Sequence, residues 1–144
     1  MPGARLDPPA GVREWLDYAE ADYTLTQELL DTGNRIRPWL IAFHAQQAAE
    51  KYLKAYLASR RIDFPFTHHI GRLLEICATV AIWPARLEPA TELTDYAATS
   101  RYPGEAVKVT RRDARRAIGL TRSVRDAVIA ALKSEGNWPK GRRV

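Results

Sequence analysis

Apolar residues recur along this chain at the three- and four-residue spacing of amphipathic helices, and no stretch alternates with the period of two that a strand needs. In the first run, 12–31, Val12, Trp15, Leu16, Ala19, Tyr23, Thr26 and Leu30 share one face. Glu14, Asp17 and Glu28 lie opposite, with Glu20 toward the flank, and Thr32-Gly33-Asn34 is a stop-and-turn signal. A second helix, 37–60, carries Pro38 in its first turn, where the missing N–H is harmless. At its centre Ile41, Ala45, Ala48, Ala49, Tyr52, Ala55 and Tyr56 form one broad apolar face, with Leu53 at the edge. His44, Gln47, Glu50, Lys51 and Lys54 fall opposite. After the linker RIDFPFT, Thr67 is expected to cap a third, short helix over 68–81, with Leu73, Leu74, Cys77 and Ala78 inward. Trp83-Pro84 breaks it. A fourth helix, 86–100, places Leu87, Ala90, Leu93, Thr94 and Ala97 inward. The last helix, 110–134, starts at a Thr110/Asp113 cap, buries Ala114, Ala117, Thr121, Val124, Val128, Ala131 and Leu132, and ends at Gly136. The expected fold is all-α, an up-and-down helical bundle of four long helices plus one short helix. Residues 1–10 read as a flexible lead-in, 11–135 as the helical domain and 136–144 as a basic disordered tail.

Length and composition fit one soluble domain with one core: 144 residues, 46% hydrophobic and 27% charged. No apolar run approaches the roughly 20 residues needed to span a bilayer, and the N-terminus has no apolar signal core. The single Cys77 excludes an intramolecular disulfide and a Cys-rich zinc site. These features place the chain in the cytoplasm with no membrane partner. A net charge of +5, with 17 of 22 basic residues Arg, favours polyanions.

Three groups of residues can carry chemistry. His44, Gln47, Lys51 and Lys54 on the second helix suit a phosphate or a base. Arg101-Tyr102, before Pro103, can clamp a phosphate and stack a base. Arg111, Arg115 and Arg122, within the Arg run of the last helix, can follow a phosphate backbone. The adjacent His68 and His69 point about 100° apart on a helix and make poor co-ligands, so no metal site and no cofactor is expected.

The stretch FHAQQAAEKYLKAYL resembles the signature helix of the HEPN family, the higher eukaryotes and prokaryotes nucleotide-binding domains. That pattern runs F-H-x-Q-Q-A-x-E-K-x-L-K-A, and Phe43, His44, Gln46, Gln47, Ala48, Glu50, Lys51, Leu53, Lys54 and Ala55 fit it. Thr67-His68 and Ser100-Arg101-Tyr102-Pro103 agree in order and distance. The resemblance implies a helical bundle, a homodimer and a non-catalytic module that binds an ATP-like nucleotide, a substrate or RNA. Such a module works beside a minimal nucleotidyltransferase supplied in trans, in the setting of a toxin–antitoxin pair. One alternative is a metal-independent ribonuclease toxin using Arg101 and His44; another is a structural dimerisation bundle. The ribonuclease-active members carry an R-x4-6-H motif late in the domain, near Arg101, but residues 102–108 contain no His. Arg37 and His44 match that spacing at a different place, the start of the second helix.

Overall fold

The computed structural model describes residues 11–99 and 108–143. Helix α1 (Val12–Asp31) and helix α2 (Pro38–Ser59) are joined by the 3₁₀ turn Gly33–Arg35. Helix α3 is Ile70–Ala78, a 3₁₀ segment runs over Ala85–Asp95, one turn of helix α4 covers Tyr96–Thr99, and α5 is Arg111–Ser134. Helix α2 is the hub: α1, α3, α4, α5 and the 3₁₀ segment all pack on it. Its small residues make this possible, since Ala42, Ala45, Ala48, Ala49 and Ala55 are fully buried and admit neighbouring backbones closely. Tyr52 and Tyr56 fill the larger spaces between them and are also fully buried.

The three long helices match the sequence pattern closely. Helix α5 opens with the expected capping box: Asp113 N–H donates to Thr110 Oγ1 at 3.1 Å, and Thr110 N–H donates to Asp113 Oδ2 at 2.9 Å. Its C-terminus closes as a Schellman motif, with Asn137 N–H donating to Leu132 O at 2.7 Å and Gly136 N–H to Lys133 O at 3.1 Å. Gly136 adopts φ +76°, the left-handed conformation this motif requires. Mid-helix, Thr121 donates to Ala45 O at 2.7 Å and ties α5 to the hub.

The fourth expected helix is different. Over most of 86–100 the chain is 3₁₀, and only one α-helical turn follows. Pro89 lies inside the segment, where it has no N–H to donate and its ring crowds the carbonyl of Ala85. The buried residues Leu87, Ala90 and Leu93 recur every three positions, the repeat of a 3₁₀ helix.

Helix α3 is shorter than 68–81 because its cap is His69. The His69 ring accepts from Arg72 N–H at 3.1 Å, while Thr67 Oγ1, the expected cap, accepts from His69 N–H instead. Leu73 and Cys77 are buried, Leu74 is half-buried and Ala78 is exposed. Burial pushes the Cys77 thiol up to about 12, leaving it protonated and inert at neutral pH.

The segment after Gly136, expected to be disordered, makes defined contacts with the first half of α1. Arg142 pairs with Asp17 at 2.6 Å, Arg13 donates to Lys140 O at 2.8 Å, and Pro139 is buried. Trp138 Nε1 closes the tail on itself by donating to Arg142 O at 2.9 Å.

Candidate functional site

Two turns of an α-helix separate residues seven apart, so His44 and Lys51 stand on the same side of α2. Asp22 of α1 reaches between them. Its Oδ1 lies 3.0 Å from His44 Nδ1, and its Oδ2 accepts a hydrogen bond from Lys51 Nζ. A carboxylate can only accept, so His44 Nδ1 carries a proton and Nε2 of the neutral ring is left as an acceptor. The three side chains are 14–24% exposed, partly buried in the seam where α1 meets α2. The Phe43 ring meets the imidazole edge-on at 5.2 Å. Tyr18, one turn before Asp22, is 63% exposed, and Lys51 Nζ lies 6.0 Å from its ring centre. Gln47 stands between His44 and Lys51 in sequence. Its amide nitrogen donates to Gln46 Oε1 at 2.6 Å, and its own carbonyl oxygen is an acceptor.

Beside this site lies a second, buried cluster. The Glu50 carboxylate is 4% exposed and accepts from Lys54 Nζ at 2.9 Å, His68 Nδ1 at 2.8 Å and Gln46 Nε2 at 3.2 Å. Gln46 Nε2 also donates to the His68 carbonyl at 3.0 Å. Lys54 Nζ sits 5.5 Å from the Trp15 ring centre and 5.8 Å from those of Phe64 and Phe66. The expectation that Lys54 shares an open polar face with Lys51 is therefore corrected. The chain linking α2 to α3 folds over that side of the helix and encloses Glu50 and Lys54 as an ion pair. A helical wheel shows only which residues oppose the apolar face; it does not show what later chain covers them.

A third network joins α1, α2 and α5. Tyr52 OH donates to Glu20 Oε1 at 2.8 Å, Arg125 Nε donates to the same oxygen at 2.9 Å, and the Arg125 guanidinium stacks over Tyr23 at 5.3 Å. Burial, and then the Glu20 charge, push the Tyr52 phenol far above its ordinary range. Tyr52 is thus a permanent donor within the core.

The structure brings together His44, Gln47 and Lys51, and adds Asp22 and Tyr18, which the sequence reading did not single out. An acid near the flank of α1, opposite a histidine and a lysine seven apart on α2, is the signal that pairs them. Arg101 and Tyr102 lie outside the described residues. The three Arg of the expected phosphate stripe go separate ways. Arg111 donates to Leu30 O at 2.9 Å and to Gly33 O, so it caps the C-terminus of α1. Arg122 donates to Tyr23 OH at 2.8 Å while remaining exposed, and Arg115 is exposed without a hydrogen bond or ion pair among the described residues. Arg111→Ala should therefore lower stability by about 1–2 kcal/mol, through the loss of charge-assisted bonds to two helix-end carbonyls. Urea denaturation measures this, and an unchanged midpoint would contradict the capping role.

The HEPN domain model matches residues 12–134 of the chain. Among solved structures, TT1696 from Thermus thermophilus is similar at 27% identity and a TM-score of 0.69, covering 83% of this chain and 96% of that one. ST0689, an archaeal HEPN homologue, is similar at 26% identity and a TM-score of 0.67, covering 84% and 97%. No curated protein matches the chain. Among the described residues no helix is long and apolar enough to cross a membrane, and no three His, Cys, Asp or Glu side chains gather as metal ligands.

Proposed function

The chain belongs to the HEPN domain family, and on that premise we propose that it is a non-catalytic nucleotide-binding module whose ligand docks on the seam between α1 and α2. The observation that carries this reading is the placement of Asp22 between His44 and Lys51, beside the exposed Tyr18 ring. Each part suits one part of a nucleotide. Tyr18 offers a face for a base to stack on. His44 Nε2 and the Gln47 carbonyl oxygen are acceptors that suit the amino group of adenine. Lys51 is the cation for a phosphate. Asp22 acts as a stand-in anion: it pairs with Lys51 and His44, and an incoming phosphate replaces it at Lys51. The module acts in the cytoplasm as a homodimer, beside a minimal nucleotidyltransferase supplied in trans, in the manner of a toxin–antitoxin pair.

Isothermal titration with ATP and with GTP at low salt tests the reading. The native chain should bind ATP saturably, and Lys51→Ala should weaken binding about tenfold or more, the loss of one charge-assisted contact to phosphate. Absence of saturable binding by the native chain, or binding untouched in Lys51→Ala, would overturn it.

One observation favours a second reading, a metal-independent ribonuclease. A carboxylate-held imidazole with its second nitrogen available is the arrangement of a general base. His44 would take a proton from a ribose hydroxyl, and Arg37, exposed at the N-cap of α2, or Arg101 would hold the phosphate. RNA cleavage by the purified chain in EDTA, abolished by His44→Ala, would favour this reading over the first.

A further inference from the structure

Far from the α1–α2 site in sequence, the linker after α3 forms an apolar ridge. Ile82 at its crest is fully exposed, and Trp83 beside it is half-buried. Trp83 is fixed rather than loose: its Nε1 donates to Cys77 O at 3.0 Å, and its ring meets Tyr56 edge-on at 4.6 Å. Pro84 stiffens the following position. A groove lies on each side of this ridge. One, of about 550 Å³, runs toward α5 and is floored by Ala127, Ala130 and Ala131. The other, of about 590 Å³, runs toward α3 and is floored by Leu74, Ala78 and Leu87. Exposing an isoleucine between two apolar grooves is costly for a monomer, and a contiguous apolar patch with a charged rim marks a protein contact.

We propose that this face is the contact between two copies of the chain, with Ile82 of each copy seated in the α3-side groove of the other. The proposal rests on the homodimer reading above and assigns its surface. Shape and charge both favour a second copy as the occupant. The surface carries a knob and a hole of matching character side by side, which is the self-complementarity an isologous twofold needs. Set the twofold axis along the ridge, so that each ridge enters the other's α3-side groove. The α5-side rim of one copy then lies over the outer α3-side rim of its partner. The first rim carries Arg60, Arg86 and Glu135; the second carries Glu75 and Glu88. Arg60 is already paired with Glu135 at 2.7 Å, and Glu75 only with Arg72 at 3.3 Å. Arg86 and Glu88 are both exposed and make no ion pair among the described residues, so each is available to the partner. The small Ala side chains on either side of the ridge let the two backbones approach.

Sedimentation equilibrium over a wide concentration range is the test, on the native chain, on Ile82→Asp, on Arg86→Glu and on the double variant Arg86→Glu with Glu88→Arg. Thermal melts accompany each, and all should melt cooperatively, because these side chains are exposed in the single copy. The native chain should dimerise. Ile82→Asp should raise the dimer Kd about a hundredfold or more, since each dimer loses two central anchors. Arg86→Glu should weaken the dimer, and the double variant should restore it. A dimer unaffected by Ile82→Asp and by Arg86→Glu would overturn this face while leaving the homodimer reading standing. A native chain that stays monomeric at every concentration would overturn both.

Discussion

Replacing Glu50 by alanine is expected to cost about 3–5 kcal/mol of folding stability, the largest effect of any single charge change in this chain. The reason is burial. Glu50 is 4% exposed and Lys54 7%, so solvent does little to screen what remains when one partner is removed. In Glu50→Ala the Lys54 ammonium keeps only the faces of Trp15, Phe64 and Phe66 around it. The Gln46 amide and the His68 ring lose their shared acceptor as well. Lys54→Met should cost less, because methionine keeps the apolar stem among the same rings and Glu50 retains two donors. Guanidinium denaturation of both variants and of the double variant closes the cycle. Near-additive losses would show that the pair is not coupled and would remove the reason for the prediction.

Asp22→Asn should act in the opposite direction on function, tightening ATP binding about tenfold. Lys51 and His44 both lie against the Asp22 carboxylate, and a phosphate must displace it from Lys51. Asparagine removes the competing charge while keeping the shape. Two unit charges in contact interact by several kcal/mol at an effective dielectric of about 20, and partial exposure of all three side chains reduces the gain to about 1–2 kcal/mol. The ribonuclease reading requires the reverse outcome, since an imidazole deprived of its carboxylate is a poorer base. Weaker ATP binding by Asp22→Asn, together with lost RNA cleavage, would decide for the enzyme.

The bundle was legible because its long helices follow one physical rule. Leu16, Ala19 and Tyr23 on α1, and Ala114, Thr121 and Val128 on α5, recur at helical spacing and are all buried. The Thr110/Asp113 box and Gly136 mark the ends of α5 by side-chain chemistry that is local in sequence. Where the expectation missed, distance along the chain was the cause. Nothing within α2 tells Lys51 from Lys54, yet one meets Asp22 in the seam with α1 and the other is buried beside Trp15 and Phe64. The roles of Asp22 and Arg111 likewise depend on partners at least 22 and 78 positions away. The 3₁₀ segment had a readable signal in Pro89 and the three-residue repeat of Leu87, Ala90 and Leu93, but that repeat also fits a stripe on an α-helix. The candidate site was half legible: His44, Gln47 and Lys51 stand together as their spacing requires, and the acid that organises them comes from another helix.

The claim that the α1–α2 seam holds a nucleotide is tested most directly by following the imidazole resonances of His44, His68 and His69 by NMR during an ATP titration. His44 pairs with Asp22 in the seam, His68 is held by Glu50 beside it, and His69 caps α3. The account predicts a saturable shift of the His44 ring signals, lost in Lys51→Ala, with His69 unmoved. A His44 signal that stays fixed while ATP binds elsewhere, or while no ATP binds at all, would contradict it.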